Sequence, residues 1–254
     1  RIAGFADFVG RKKYLYDDNG HGTHVAGIIA GSGKGSNGKY RGIAPDTFLV
    51  SVKVLDKSGN GKIENVVEAA GWIIENKSAM NIRVVNISFG TRAKMENGPA
   101  IETGEDDYAL IMAVEKMWDS GIVVVAAAGN NGPGNTSVTA PGISKKIITV
   151  GAFDDKNFFS GRGPTRECIV KPEVVVTGSN IIACNNHQGR YSSKSGTSMA
   201  APVVSGAVAR LIKNNPDITP KEVKIWMKSC CKKINVPSEK QGWGVLDIRK
   251  FVTG

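Results

Sequence analysis

Strands and helices alternate along this chain of 254 residues. That alternation predicts an α/β fold of three layers, a mostly parallel central sheet with helices on both faces. Three observations carry the prediction. Apolar, β-rich runs recur between segments of helical spacing. Glycine fills 31 positions, about 12% against a usual ~7%, in clusters without a Gly-X-Y period. Collagen is thereby excluded and close backbone turns are implied. Apolar residues make up 41% and charged residues 22%, the balance of a globular chain with a sizeable core, which excludes disorder.

The elements follow in order. After a basic, irregular start, Gly20 to Gly31 reads as a helix of small residues that must pack closely on its neighbours. A Gly/Lys loop spans Ser32 to Gly42. Phe48 to Leu55 is a β-rich run, and Ile63, Val66, Val67, Ala70, Ile73 and Ile74 then recur at helical spacing. Ile82 to Ser88 reads as a strand, Tyr108 to Trp118 as a helix, and Ile122 to Ala127 as a buried strand. Further strands are expected at Ile147 to Val150 and Ile169 to Val176. An apolar helix follows Ser198, and Thr219-Pro220-Lys221-Glu222 opens another through Lys228 with a cap and a proline in its first turn. No internal repeat or linker interrupts the pattern, so residues 1–254 are expected to form one domain.

Charge and cysteines narrow the function classes. The formal net charge is +10, and much of the excess falls in residues 210–254, where it reads as a solvated helix face. No aromatic residues interleave with that charge and no nucleic-acid module is recognisable, so nucleic acid is not an expected partner. No apolar run approaches the ~20 residues of a bilayer span, and no leader precedes the first structured residues, so a soluble chain without a membrane partner is expected. Cys168, Cys184, Cys230 and Cys231 show no C-x-x-C spacing, which favours a reducing compartment and a cytoplasmic location, secretion being the alternative. The chain begins at Arg1 rather than Met, as expected of a processed or truncated product.

Three segments stand at strand ends or helix starts, where open α/β sheets place their sites. His21 opens a helix between glycines that let another backbone approach, so it can serve as a general base, although a histidine there also packs or caps. His24, one turn on, reads as a core histidine. Ser198 falls on the first turn of its helix, where unpaired N–H groups favour negative charge beside its oxygen, although a serine there also serves as a plain N-cap. Ala200 breaks the G-x-S-x-G elbow, which disfavours the α/β-hydrolase fold. Asn130 ends a buried strand, and its amide can donate to an oxyanion on an attacked carbonyl or simply hold a turn.

Taken together, Gly20 to Gly27 (GHGTHVAG), Ala126 to Asn130 (AAAGN) and Ser195 to Pro202 (SGTSMAAP) resemble the motifs of the subtilisin-like serine proteases, in the same order and nearly word for word. The resemblance covers essentially the whole chain. It implies a serine endopeptidase acting on polypeptide substrates, with Ser198 as nucleophile, His21 as general base, and Asn130 with the Ser198 N–H as oxyanion hole. It also implies that Ser88, Phe89 and Gly90 pair with the substrate on one side and Ser58, Gly59, Asn60 and Gly61 on the other, as two substrate-binding strands. Ala127, Ala128 and Gly129 would line a roomy pocket with a broad preference for large apolar or aromatic residues before the cut. Ala140-Pro141 is expected to be cis. Phe5 to Asp18 and Ser160 to Pro172 look most like the intracellular bacterial branch.

The chain departs from that family at its start. The family's triad aspartate sits in a D-[ST]-G motif ending the first core strand, and no such motif precedes His21. Asp7, Asp17 and Asp18 do precede it, and Asp17 and Asp18 read as cap or surface carboxylates. The triad aspartate is therefore expected upstream of residue 1 and the first core strand is expected to be missing. The chain alone should be nearly inactive, with either an open slot that retains its own cleaved N-terminal fragment or a rearranged core. Ser32 to Lys39 lacks carboxylates for calcium. Zinc through His21, His24 and His187 lacks the usual H-E-x-x-H base, so no metal or cofactor is expected. The competing reading is a catalytically silent peptide-binding or scaffold protein. Thr91 to Asp107 looks like a surface insertion near the cleft.

Overall fold

The computed structural model describes residues 1–91, 104–186 and 191–253. His187 and most of the expected insertion, residues 92–103, lie outside the described residues. The largest sheet runs in the order β3 (Val84–Ile87), β4 (Val123–Ala127), β5 (Ile148–Ala152), β6 (Val174–Val176), β10 (Val245–Leu246), β9 (Cys231–Lys232). Its strands are parallel except β9. The helices are α1 (His21–Ala30), α2 (Ile63–Asn76), α3 (Glu105–Asp119), α4 (Thr197–Asn214), α5 (Pro220–Ser229), α6 (Ser238–Gln241) and α7 (Ile248–Thr253).

β4 shows why three layers form. Strand side chains alternate between faces, and here Val123, Val125 and Ala127 pack with Val204, Ala207 and Val208 of α4. Val124 and Ala126 turn the other way, onto Ala70 and Ile73 of α2 and Val114 of α3. Both faces are covered, as the continuous apolar run requires. α3 opens with Glu105, Asp106 and Asp107, acids that suit the positive end of its dipole. α5 begins with the expected capping box between Thr219 and Glu222.

Several boundaries depart from the sequence reading. The start is not irregular: β1 (Ile2–Asp7) pairs in parallel with β2 (Leu49–Lys53). The Asp7 carboxylate then organises the following turn. Burial alone would raise its pKa, but N–H donors of Gly10, Lys12 and Val9 and the Tyr16 hydroxyl lower it to about 2. The expected strand over Ile169 to Val176 shortens to its last three residues, because Pro172 has no N–H to give a ladder. Lys171 also leaves the ladder and turns its ammonium inward. A hairpin, β7 (Ile181–Cys184) with β8 (Tyr191–Lys194), stands apart from both sheets. Ala140-Pro141 is cis, as expected.

The sheet is broken between β2 and β3. β1 and β2 form their own two-stranded sheet, and β3 is an edge of the larger one. A cavity of about 2050 Å³ lies between them, lined by Val50 and Val52 of β2, Val84 and Asn86 of β3, and Val66 and Ile73 of α2. This is the open slot anticipated beside central apolar surface.

A buried ion cluster holds β5 to β6. Lys171 is fully buried, its Nζ 2.7 and 2.9 Å from the Glu173 oxygens, and Glu173 also accepts from Thr149 N and from Lys224. Burial pulls Lys171 down to about 8, against the pull of Glu173. Glu173→Ala strands a buried ammonium, so we expect a loss of about 3–5 kcal/mol, read as a lower urea midpoint at neutral pH.

Candidate active site

Two strand ends and one helix start converge here. α4 begins at Thr197 beside the C-terminal ends of β3 and β4, against which it packs. Thr197 ties the segments together: Asn130 Oδ1 accepts from Thr197 N at 2.9 Å and from Thr197 Oγ1 at 3.1 Å, and Gly129 N donates to Thr197 Oγ1 at 3.1 Å. With its oxygen so engaged, the Asn130 amide keeps its Nδ2 hydrogens free among the described residues. Ser198, half-buried on the first turn of α4, donates from Oγ to Ser88 O at 2.9 Å, while Ser88 Oγ donates to Ser198 O at 3.0 Å. Ser88, Asn130 and Ser198 are thus brought together as the motifs implied.

A polar chain backs this clamp. Ser205 Oγ donates to Asn86 Oδ1 at 2.9 Å, and Asn86 Nδ2 donates to Ser88 Oγ at 2.9 Å. Sequence reasoning missed both residues. The signal available was an asparagine inside the apolar run of β3, where a polar side chain needs a partner.

His21 opens α1 after Gly20, which has φ 90° and suits glycine. Asp17 is the cap it was read as: its carboxylate accepts from Asn19 N, Gly20 N, Thr23 N and Thr23 Oγ1. Asp18 is a surface carboxylate paired with Lys53. Burial pulls His21 below its usual 6.5, Lys194 and His24 add to that, and Asp17 opposes it. Among the described residues, neither a carboxylate nor the Ser198 hydroxyl hydrogen-bonds the His21 ring. His24 is a fully buried core histidine, as expected, with Nε2 3.0 Å from Ser192 O and 3.2 Å from Ile181 O. Both acceptors are carbonyls, so Nε2 carries the proton; Nδ1 has no partner among the described residues.

The substrate-binding candidates divide. Ser88, Phe89 and Gly90 follow β3 along the rim of the cavity that His21 and Gly59 also line. Ser58 to Gly61 form no strand, which corrects the expectation. They make an exposed turn because Asp56 Oδ1 accepts from Ser58 N and Asn60 N, with Gly59 at φ 78°. Ala127 ends β4, and Ala128 and Gly129 follow it. A Cβ on Gly90 would stand 2.5 Å from Thr139 Oγ1, and one on Gly129 2.6 Å from it. Both walls must therefore be glycine, and Thr139, missed in the sequence, lies between them.

Comparison with known proteins gives the family. The subtilase family matches residues 6–244. Serine protease AprX of Bacillus subtilis (strain 168) is 41% identical over 90% of this chain, and the chain spans 56% of that relative. Subtilisin DY of Bacillus licheniformis is 34% identical over 88% of this chain and 74% of its own length. Among solved structures, a cold adapted subtilisin-like serine proteinase superposes with a TM-score of 0.75 at 30% identity, covering 97% of this chain and 79% of that one. With the match running through nearly all of its length, the chain belongs to the subtilase family.

Proposed function

We propose that this chain is the catalytic unit of a serine endopeptidase acting on polypeptides. Ser198 Oγ attacks the carbonyl, and His21 takes its proton and returns it to the departing amine. The Asn130 amide and the Ser198 N–H receive the negative oxygen. The observation that carries this reading is the clamp joining Ser88, Ser198, Thr197 and Asn130, which holds a nucleophile beside a free amide donor. Ser88 to Gly90 offer backbone to an extended substrate. The glycine and alanine walls support a broad preference for large apolar residues before the cut. A cytoplasmic location is proposed on four unbridged cysteines, against a relative named as a minor extracellular protease.

The weak point of the dyad is His21, which lacks a carboxylate partner among the described residues. We propose that a strand entering the slot between β2 and β3 brings one, and that the occupant is the protein's own cleaved N-terminal segment. The apolar lining of the slot, its two open sheet edges and His21 at its rim support this. The same bare imidazole, with the Ser198 hydroxyl turned to Ser88 O, favours the rival reading of a silent peptide-binding scaffold.

A fluorophosphonate probe separates the two. Labelling at Ser198 that Ser198→Ala removes is the expected result, and no labelling at any pH supports the scaffold. A synthetic strand of alternating apolar residues ending in Asp should accelerate labelling by up to about 10⁴-fold, the size of the triad carboxylate's effect in related enzymes; no acceleration removes the slot proposal and leaves the nucleophile standing. Asn130→Ala should slow labelling about 10²-fold, as such a donor does in relatives. A base must be neutral to act, and the His21 pKa is lowered, so without the added strand labelling should persist below pH 6.5 and fall only as His21 protonates at lower pH.

A further inference from the structure

Six lysines among the described residues are less than fully exposed: Lys53, Lys77, Lys171, Lys194, Lys224 and Lys240. Five have partners. Lys53 reaches Asp18 at 2.7 Å, Lys77 donates to Ser120 O, Lys171 and Lys224 share Glu173, and Lys240 reaches Asp155 at 2.8 Å. Lys194 alone has neither a carboxylate nor a carbonyl among the described residues. A cation partly withdrawn from water without a counter-charge or an acceptor is costly, and each of the other five lysines has one or the other.

Its place in the fold gives the exception meaning. Lys194 ends β8, opposite Ile181 of β7. The His24 ring bonds the carbonyls of Ile181 and Ser192, which fastens this end of the hairpin to α1 one turn from His21. Along the chain, Lys194 precedes Ser198 by four residues, with only the exposed Ser195 and two buried residues between. Its charge is felt at both histidines, lowering each. The carboxylate also felt at His21, Asp17, is already taken up by four donors at the start of α1.

We infer that Lys194 is a specificity-determining residue that receives a substrate carboxylate on the departing side of the cut. His21 returns its proton to the leaving amine, so the flank that His21 marks is where the residues after the scissile bond lie. An ammonium left unpaired there is complementary to an acidic side chain in the first positions after the cut, or to the terminal carboxylate of a short departing fragment. This inference rests on the hydrolase reading, and it assigns a charge preference where the apolar pocket assigns only size.

The test is cleavage by the protein of fluorogenic peptides that share one sequence before the cut and carry Glu, Gln or Lys in the first two positions after it. A matched pair ends in a free or an amidated C-terminus directly after those positions. Glu over Lys by about tenfold in kcat/KM at low salt, shrinking as salt rises, is the expected result. Lys194→Met should level that ratio and Lys194→Glu should invert it. A gain confined to the free C-terminus assigns the site to terminal carboxylates, and a gain for Glu in the amidated peptides assigns it to side chains. Cleavage with no charge preference overturns this inference alone. A preference that survives in both variants overturns it too, because some other cation then carries it. Absence of all cleavage with the Asp-ended strand added overturns this inference, and the hydrolase reading falls with it where fluorophosphonate labelling at Ser198 is absent too.

Discussion

The insertion of α4 beneath the ends of β3 and β4 is the constraint on which the site depends. Thirteen residues of this 18-residue helix are buried, and small side chains make the approach possible. At Gly206 a Cβ would stand 2.7 Å from Ile43 Cβ; Ala200, Ala201 and Ala207 are fully buried against the sheet. Because the strands are parallel, their C-terminal ends lie together, and a helix that starts there presents unpaired N–H groups to the same space. Thr197 converts this placement into geometry by bonding Gly129 and Asn130 at once.

The break in the sheet and Ser198 are physically joined. Asn86 and Ser205 line the cavity and bond each other, and Asn86 bonds the Ser88 hydroxyl that grips the Ser198 carbonyl. Edge strands with unpaired backbone groups invite pairing, and here two such edges face a single apolar space. The polar groups at its rim are those that position Ser198.

Charge in this molecule is better placed than its net value suggests. The basic excess near the C-terminus is not all a solvated helix face, for Lys224 bonds the carbonyls of residues 145–147 as well as Glu173, and Lys250 bonds Ser229 O. Lys224 thus ties α5 to the sheet, and Lys250 ties α7 to α5. Lys194 stands out against them because nothing comparable among the described residues holds it.

The amino-acid sequence by itself determined the layer architecture, since the all-apolar run of β4 and the helical spacing in α2 are local patterns with local physical meaning. It also marked Ser198, His21 and Asn130 as candidates, through glycine-rich settings written in adjacent residues. What it left undecided depends on contacts between distant segments. The β1–β2 pairing, the turn at Ser58 to Gly61, the bridging of Asn130 to Ser198 through Thr197, and the wedge of Thr139 between Gly90 and Gly129 came only with the tertiary structure. So did the solitude of Lys194, because whether a charge has a partner is a property of the space around it, and that space is assembled from residues far away along the chain.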